Sequence, residues 1–62
     1  PMERLEQYKH LIQMAESAET EGKSLAALYP GVRPSWVSGD IADCDRRART
    51  YRQQALCYQQ FE

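Results

Sequence analysis

The chain is predicted to be all-α: an antiparallel two-helix hairpin that pairs with a second copy of itself into a four-helix bundle. Three observations carry that prediction. The stretch LYPGVRPSW, residues 28 to 36, places two prolines and a glycine within five positions of a chain whose flanks are rich in helix formers, so the helix must stop there. On both sides of it, apolar and small residues recur in steps of three and four, the spacing of a left-handed helix pair. The two series also face each other in a single register when the chain folds back at PGVRP.

The first helix is expected over residues 3–29. This segment has no proline, a single glycine (Gly22), and mostly Glu, Gln, Lys, Leu, Met and Ala. Tyr29 precedes Pro30, which pushes it out of the helical region and sets the end. The turn is expected at 30–34 and the second helix at 35–60. Ser35, just after Pro34, is the expected N-cap. Asp40, Asp43 and Asp45 lie in the N-terminal part of that helix, whose dipole favours negative charge in its first turn. The run from Asp40 to Gln60 has no breaker. The competing reading breaks the first helix near Gly22-Lys23-Ser24, with Ser24 capping a short LAALY helix, and gives three helices.

Folded back at the turn, the seams meet layer by layer. Tyr29 faces Val37, Leu25 faces Ile41, and Gly22 faces Cys44. Ala18 faces Ala48, Ala15 faces Tyr51, Leu11 faces Ala55, and Tyr8 faces Tyr58, with Leu5 and Phe61 continuing the series. Large residues oppose small ones in several layers, so side chains interdigitate without clashing. In this register Glu16, Glu19 and Glu21 stand at the height of Arg46, Arg47, Arg49 and Arg52. Each surface pair is worth little, but together they oppose registers that would bring like charges together.

Sixty-two residues make one small domain, which buries only about 60% of its unfolded surface and is marginal without a staple or a partner. A net charge of −1, with 27% charged and 42% hydrophobic residues, is too apolar for a disordered tail. It gives no global electrostatic case for nucleic acid or a membrane. No apolar run approaches the ~20 residues that span a bilayer, and nothing at the N-terminus has the form of a signal peptide. Met2 is the expected natural start, with Pro1 a remnant. A catalytic N-terminal proline, as in tautomerases, would need alternating strand patterns that this chain lacks. Cys44 and Cys57 are thirteen residues apart, about 20 Å along a helix, beyond disulfide reach. Two free thiols point to a reducing, cytoplasmic setting. One histidine and two separated cysteines make no zinc site, and no cofactor is expected.

A two-helix hairpin has one seam and no enclosed core, so it needs a partner. Leu5, Ile12, Leu56 and Phe61 lie beside the seam at the open end, near Met2, Met14 and Cys57. They are the expected dimer or partner interface. Trp36 is expected to cover the closed end. The symmetric solution is a homodimer. In length and layout it resembles the plasmid-encoded repressor of primer, a short helical hairpin that dimerises and binds RNA. The two share no residue motif, so no RNA-contacting position is carried over. Being very short and helical, with free cysteines, several tyrosines and one tryptophan, the chain also resembles small accessory proteins from the early regions of lambda-like bacteriophages. That resemblance implies a small regulator in the host cytoplasm that binds something, such as a host protein, during the choice between lysis and lysogeny.

Catalytic chemistry is not expected. His10 stands alone on an exposed face at the height of Leu56 and Cys57, with no third orienting group and no oxyanion site. Asp43 and Asp45 are two apart on a helix and diverge. RRARTYRQQ, residues 46 to 54, is the one basic run. At 100° per residue its arginines scatter around the helix, and Tyr51 belongs to the seam. The expected function is therefore that of a non-enzymatic regulatory protein acting on an unidentified protein partner. The alternative is an RNA- or DNA-binding regulator contacting nucleic acid through Arg46, Arg47, Arg49 and Arg52.

Overall fold

The computed structural model describes residues 2–59. Within them the chain forms helix α1, Met2–Leu28, and helix α2, Ser35–Leu56, joined by a loop at 29–34. The two helices pack along their length as a hairpin, and no strand occurs among the described residues. The molecule is a rod of 49 × 14 × 11 Å. Its radius of gyration is 14.5 Å, against about 11 Å for a compact chain of this length.

Every predicted seam position among the described residues is buried or half-buried; Phe61 lies outside them. The fully buried ones are Ala15, Ala18 and Gly22 on α1 and Val37, Cys44, Ala48 and Ala55 on α2. The larger seam residues, Tyr8, Leu11, Leu25, Tyr29, Ile41, Tyr51 and Tyr58, are half-buried. Small residues thus hold the middle of the seam and let the helices approach closely, while larger ones fill its two ends.

Gly22 belongs to this middle stretch. It does not break α1, which runs unbroken to Leu28, so the three-helix reading is excluded. A glycine in a helix interior is about 1 kcal/mol less favourable than alanine. What it supplies here is space, since a Cβ built on Gly22 would lie 3.3 Å from the Cβ of Cys44. The missing side chain leaves room for the Cβ of Cys44.

Three local expectations are corrected. Ser35 is the first residue of α2 rather than its cap. Pro34 occupies the cap position at φ −56° and ψ 150°, and no side chain caps the helix. The Pro34 carbonyl instead accepts the Val37 N–H at 3.0 Å. Proline, with φ already fixed near the helical value, makes the entry by itself. No carboxylate lies in the first turn of α2, because the three aspartates come later. Finally, α2 ends at Leu56 and not near Gln60, which lies outside the described residues. The N–H groups of Cys57, Tyr58 and Gln59 bond to the carbonyls of Gln54, Ala55 and Leu56, three residues back, which tightens the helix into a closing turn. Arg4 of α1 stabilises that end. Its guanidinium donates to the Cys57 carbonyl at 2.6 Å and stands 5.7 Å from the centre of the Tyr58 ring. A C-terminal carbonyl without a helical partner is thereby satisfied from the other helix.

The loop reverses the chain without any positive φ, so Gly31 is not required for a left-handed turn. Tyr29 meets Trp36 edge-on, with centroids 5.8 Å apart and planes at 80°. Arg33 Nε donates to the Tyr29 carbonyl at 2.7 Å, tying the loop to the end of α1.

The seam yields a direct test. Ala18→Leu should overpack the narrow middle and lower stability by about 1–3 kcal/mol. Gly22→Ala should stay within about 1 kcal/mol of the parent, because the gain in helix propensity offsets the tight contact with Cys44. Thermal melts of the two variants check this. An unchanged Ala18→Leu melt would mean that the register is wrong.

Candidate interaction surfaces

Three stretches of surface differ in chemistry: the open end, the flanks of the seam, and the loop end.

At the open end, Leu5 and Ile12 of α1 are half-buried, while Leu56 of α2 is 62% exposed. Leu5 and Ile12 are seven residues apart, so at 100° per residue they fall within about 20° of each other on one flank of α1. Met2 and Cys57 are exposed at the same end. Phe61 lies outside the described residues. Two shallow concavities open here, one lined by residues including Glu3, Glu6, His10 and Tyr58, the other by Leu11, Cys57 and neighbours. His10 and Cys57 therefore line different hollows. Among the described residues, no group of three His, Cys, Asp or Glu side chains is placed to hold a metal ion.

Along the flanks, the basic run is bound up with carboxylates. Arg47 spans the helices to Glu21 at 3.3 Å and also reaches Asp43 at 3.3 Å. Arg52 spans them to Glu19 as a fork, with Nη2–Oε1 at 2.8 Å and Nε–Oε2 at 3.0 Å. These two pairs bracket the seam in the expected register. Arg46 and Arg49 do not cross. They pair within α2, with Asp43 and with Asp45 at 3.0 Å. Each has an aspartate three or four residues before it on the same helix face. Asp43 and Asp45 are therefore ion-pair partners, and each of the four arginines has a carboxylate partner.

Between these flanks the Cys44 thiol is buried. It lies 3.5 Å from Glu21 Oε2, to which its S–H donates, and its sulfur accepts from Arg47 Nη2 at 3.2 Å. Burial, then the bond to Glu21, pushes the thiol pKa above its ordinary value. The fork from Arg52 holds the Glu19 carboxyl below the ordinary carboxylate value.

At the loop end, Leu28 is 72%, Val32 99% and Trp36 53% exposed. Trp36 covers one side of Tyr29 and offers its other side to solvent. Sequence reasoning centred on the open end missed this cluster. The legible signal was LYPGVRPSW itself, which sets Leu28, Val32 and Trp36 in and beside a turn that leaves them exposed.

No protein-family model, curated protein or solved structure matches the chain. No helix among the described residues is long and apolar enough to cross a membrane.

Two predictions follow from the flanks. Cys57 should be labelled rapidly by a thiol reagent and Cys44 slowly, because Cys44 is both inaccessible and poor in thiolate. Timed labelling of Cys44→Ser and Cys57→Ser reads this directly, and faster labelling at Cys44 would put the wrong face of α2 inward. For Glu19, a folded pKa below the unfolded one means stability that is fully present above the unfolded value. It is lost as pH falls through the folded pKa, below 4.5. Glu19→Gln should therefore flatten the acid limb of the stability curve and leave its slope near neutrality unchanged. Denaturant midpoints measured from pH 7 to 3 decide it.

Proposed function

We propose that this is a small non-enzymatic regulatory protein that acts by protein–protein binding and functions as a homodimer of hairpins. The single observation that carries this reading is the composition of the core. Among the described residues, the largest fully buried side chains are Val37 and Cys44. A seam of Ala, Gly, Cys and one Val buries little apolar area at about 25 cal/mol per Å². The accessible surface is 4813 Å², against about 4,100 Å² for a compact monomer of this mass. The larger seam side chains are only half-buried, and Leu28, Val32, Trp36 and Leu56 are more than half exposed.

A second copy covers Leu5, Ile12 and Leu56 by symmetry, without calling for a new surface. Phe61 belongs to the same proposal on its place in the sequence. The arginine run supports the protein-binding reading over the nucleic-acid one. Cations already neutralised by carboxylates release few counterions from phosphate, and counterion release dominates such binding. A small regulator of this kind also fits the resemblance to phage early-region accessory proteins, with the cytoplasm as its place of action.

Because dissociation and unfolding are linked, the melting temperature should rise with protein concentration. Ile12→Glu with Leu56→Glu should place charge in the interface and give monomers that are largely unfolded. Sedimentation with circular dichroism tests both. A well-folded monomer of the parent chain, melting independently of concentration, would remove the dimer from the proposal.

A further inference from the structure

We infer that the two hairpins of the homodimer proposed above, on which this inference rests, lie side by side about a two-fold axis parallel to the rod. Helix α1 of each copy packs on α2 of the other, and both loops stand at one end. The docking surface is the flank that carries the Glu19–Arg52 fork, and its occupant is the same flank of a second copy.

Charge selects this flank. The opposite one carries the Arg47–Glu21 pair. Asp43 and Asp40 lie four and seven residues before Arg47 and so share its side of α2. That flank is acidic on balance and repels its own image. The fork flank is self-complementary. Ile12, Glu16 and Glu19 follow in steps of four and three on α1, and Arg49, Arg52 and Leu56 in steps of three and four on α2, so each trio shares one side of its helix. The fork, at 2.8 and 3.0 Å, places both sides on one flank of the hairpin. Half-way along the rod this flank is therefore acidic on α1 and basic on α2.

That division selects the axis. An axis across the rod sets α1 against α1 with the molecules running in opposite directions. Fully overlapped, Glu16 and Glu19 then face the partner's Glu16 and the partner's Glu19, and the arginines of α2 likewise face their own copies. An axis along the rod sets α1 against α2. The seam places Ala18 opposite Ala48 and Ala15 opposite Tyr51, so Glu16 stands at the height of the partner's Arg49. The register has no freedom, because a translation along the axis would give an open chain in place of a closed pair. Among the described residues Glu16 holds no ion pair, and the Arg49 side chain is 79% exposed beyond its bond to Asp45. The other charges of the flank fit as well. Lys9 lays its stem over the partner's Leu56, and Lys23 approaches the partner's Asp45. Leu5, Ile12 and Leu56 of both copies gather into one apolar cluster at the open end, since Ile12 and Leu56 stand at nearly one height.

The experiment measures where the loops lie. Val32→Cys in a Cys57→Ser background takes a spin label at an exposed loop position and leaves the docking flank untouched. Loops at one end should be separated by one helix spacing, about 10 Å, plus the reach of the labels. Opposed loops would be separated by about the rod length of 49 Å. A charge exchange supplies the second reading. Glu16→Arg and Arg49→Glu should each weaken the dimer about tenfold, since each turns two attractions into repulsions, and the two together should restore it. A dimer with its loops a rod length apart overturns the arrangement and leaves the dimer standing. So does a double variant that associates no better than the single ones. A parent chain that sediments as a monomer removes the dimer and this arrangement with it.

Discussion

The close approach of the two helices at Gly22 and Cys44 is the constraint on which the rest depends. A missing side chain on α1 admits the Cβ of Cys44, and the neighbouring layers of Ala15, Ala18 and Ala48 keep the backbones near each other. That proximity fixes the register, because only small residues fit there. The register in turn sets Glu21 beside Arg47 and Glu19 beside Arg52 on opposite flanks. The ion pairs are thus a consequence of the packing rather than its cause. Exposed pairs of this kind add selectivity between registers more than stability.

Close packing of small residues has a cost in buried area. Alanine and glycine bring the helices together but remove little surface from water, and the residues with area to bury are displaced to the ends. At the open end Arg4 stabilises the closing turn of α2, and Leu56 stays exposed beside it. At the loop end the prolines hold Val32 and Trp36 in solvent. The same choice that defines the hairpin leaves apolar side chains exposed at both of its ends.

The seam was legible in the sequence because its period is a backbone property. Steps of three and four select one helix face whatever the tertiary context, and two such faces joined by a short loop have one matching register. Every seam position among the described residues is buried or half-buried for that reason. The ends of α2 were less legible because they depend on single contacts. A proline that initiates without a cap, and an arginine from the other helix that takes the Cys57 carbonyl, leave no periodic mark. The pairing of Arg46 and Arg49 was misjudged because aspartates on the same helix compete with glutamates across the groove, and proximity along the chain wins. The loop-end cluster was hidden for a different reason. Turn residues are read for the conformations they permit, so Val32 was given no role, and Trp36 was expected to cover the closed end yet is 53% exposed.

The two ends of the rod also differ in chemistry. The open end carries Glu3 and Glu6 together with Arg4 and Lys9, whereas the loop end carries Arg33, with Asp40 one and a half turns into α2. At the open end, Arg4 already lies against Tyr58 and the Cys57 carbonyl, and the apolar flank of Leu5 and Ile12 gives two copies something to share. A rod of 49 Å keeps the two ends far enough apart that an electrostatic interaction between exposed groups, screened over about 10 Å, does not couple them.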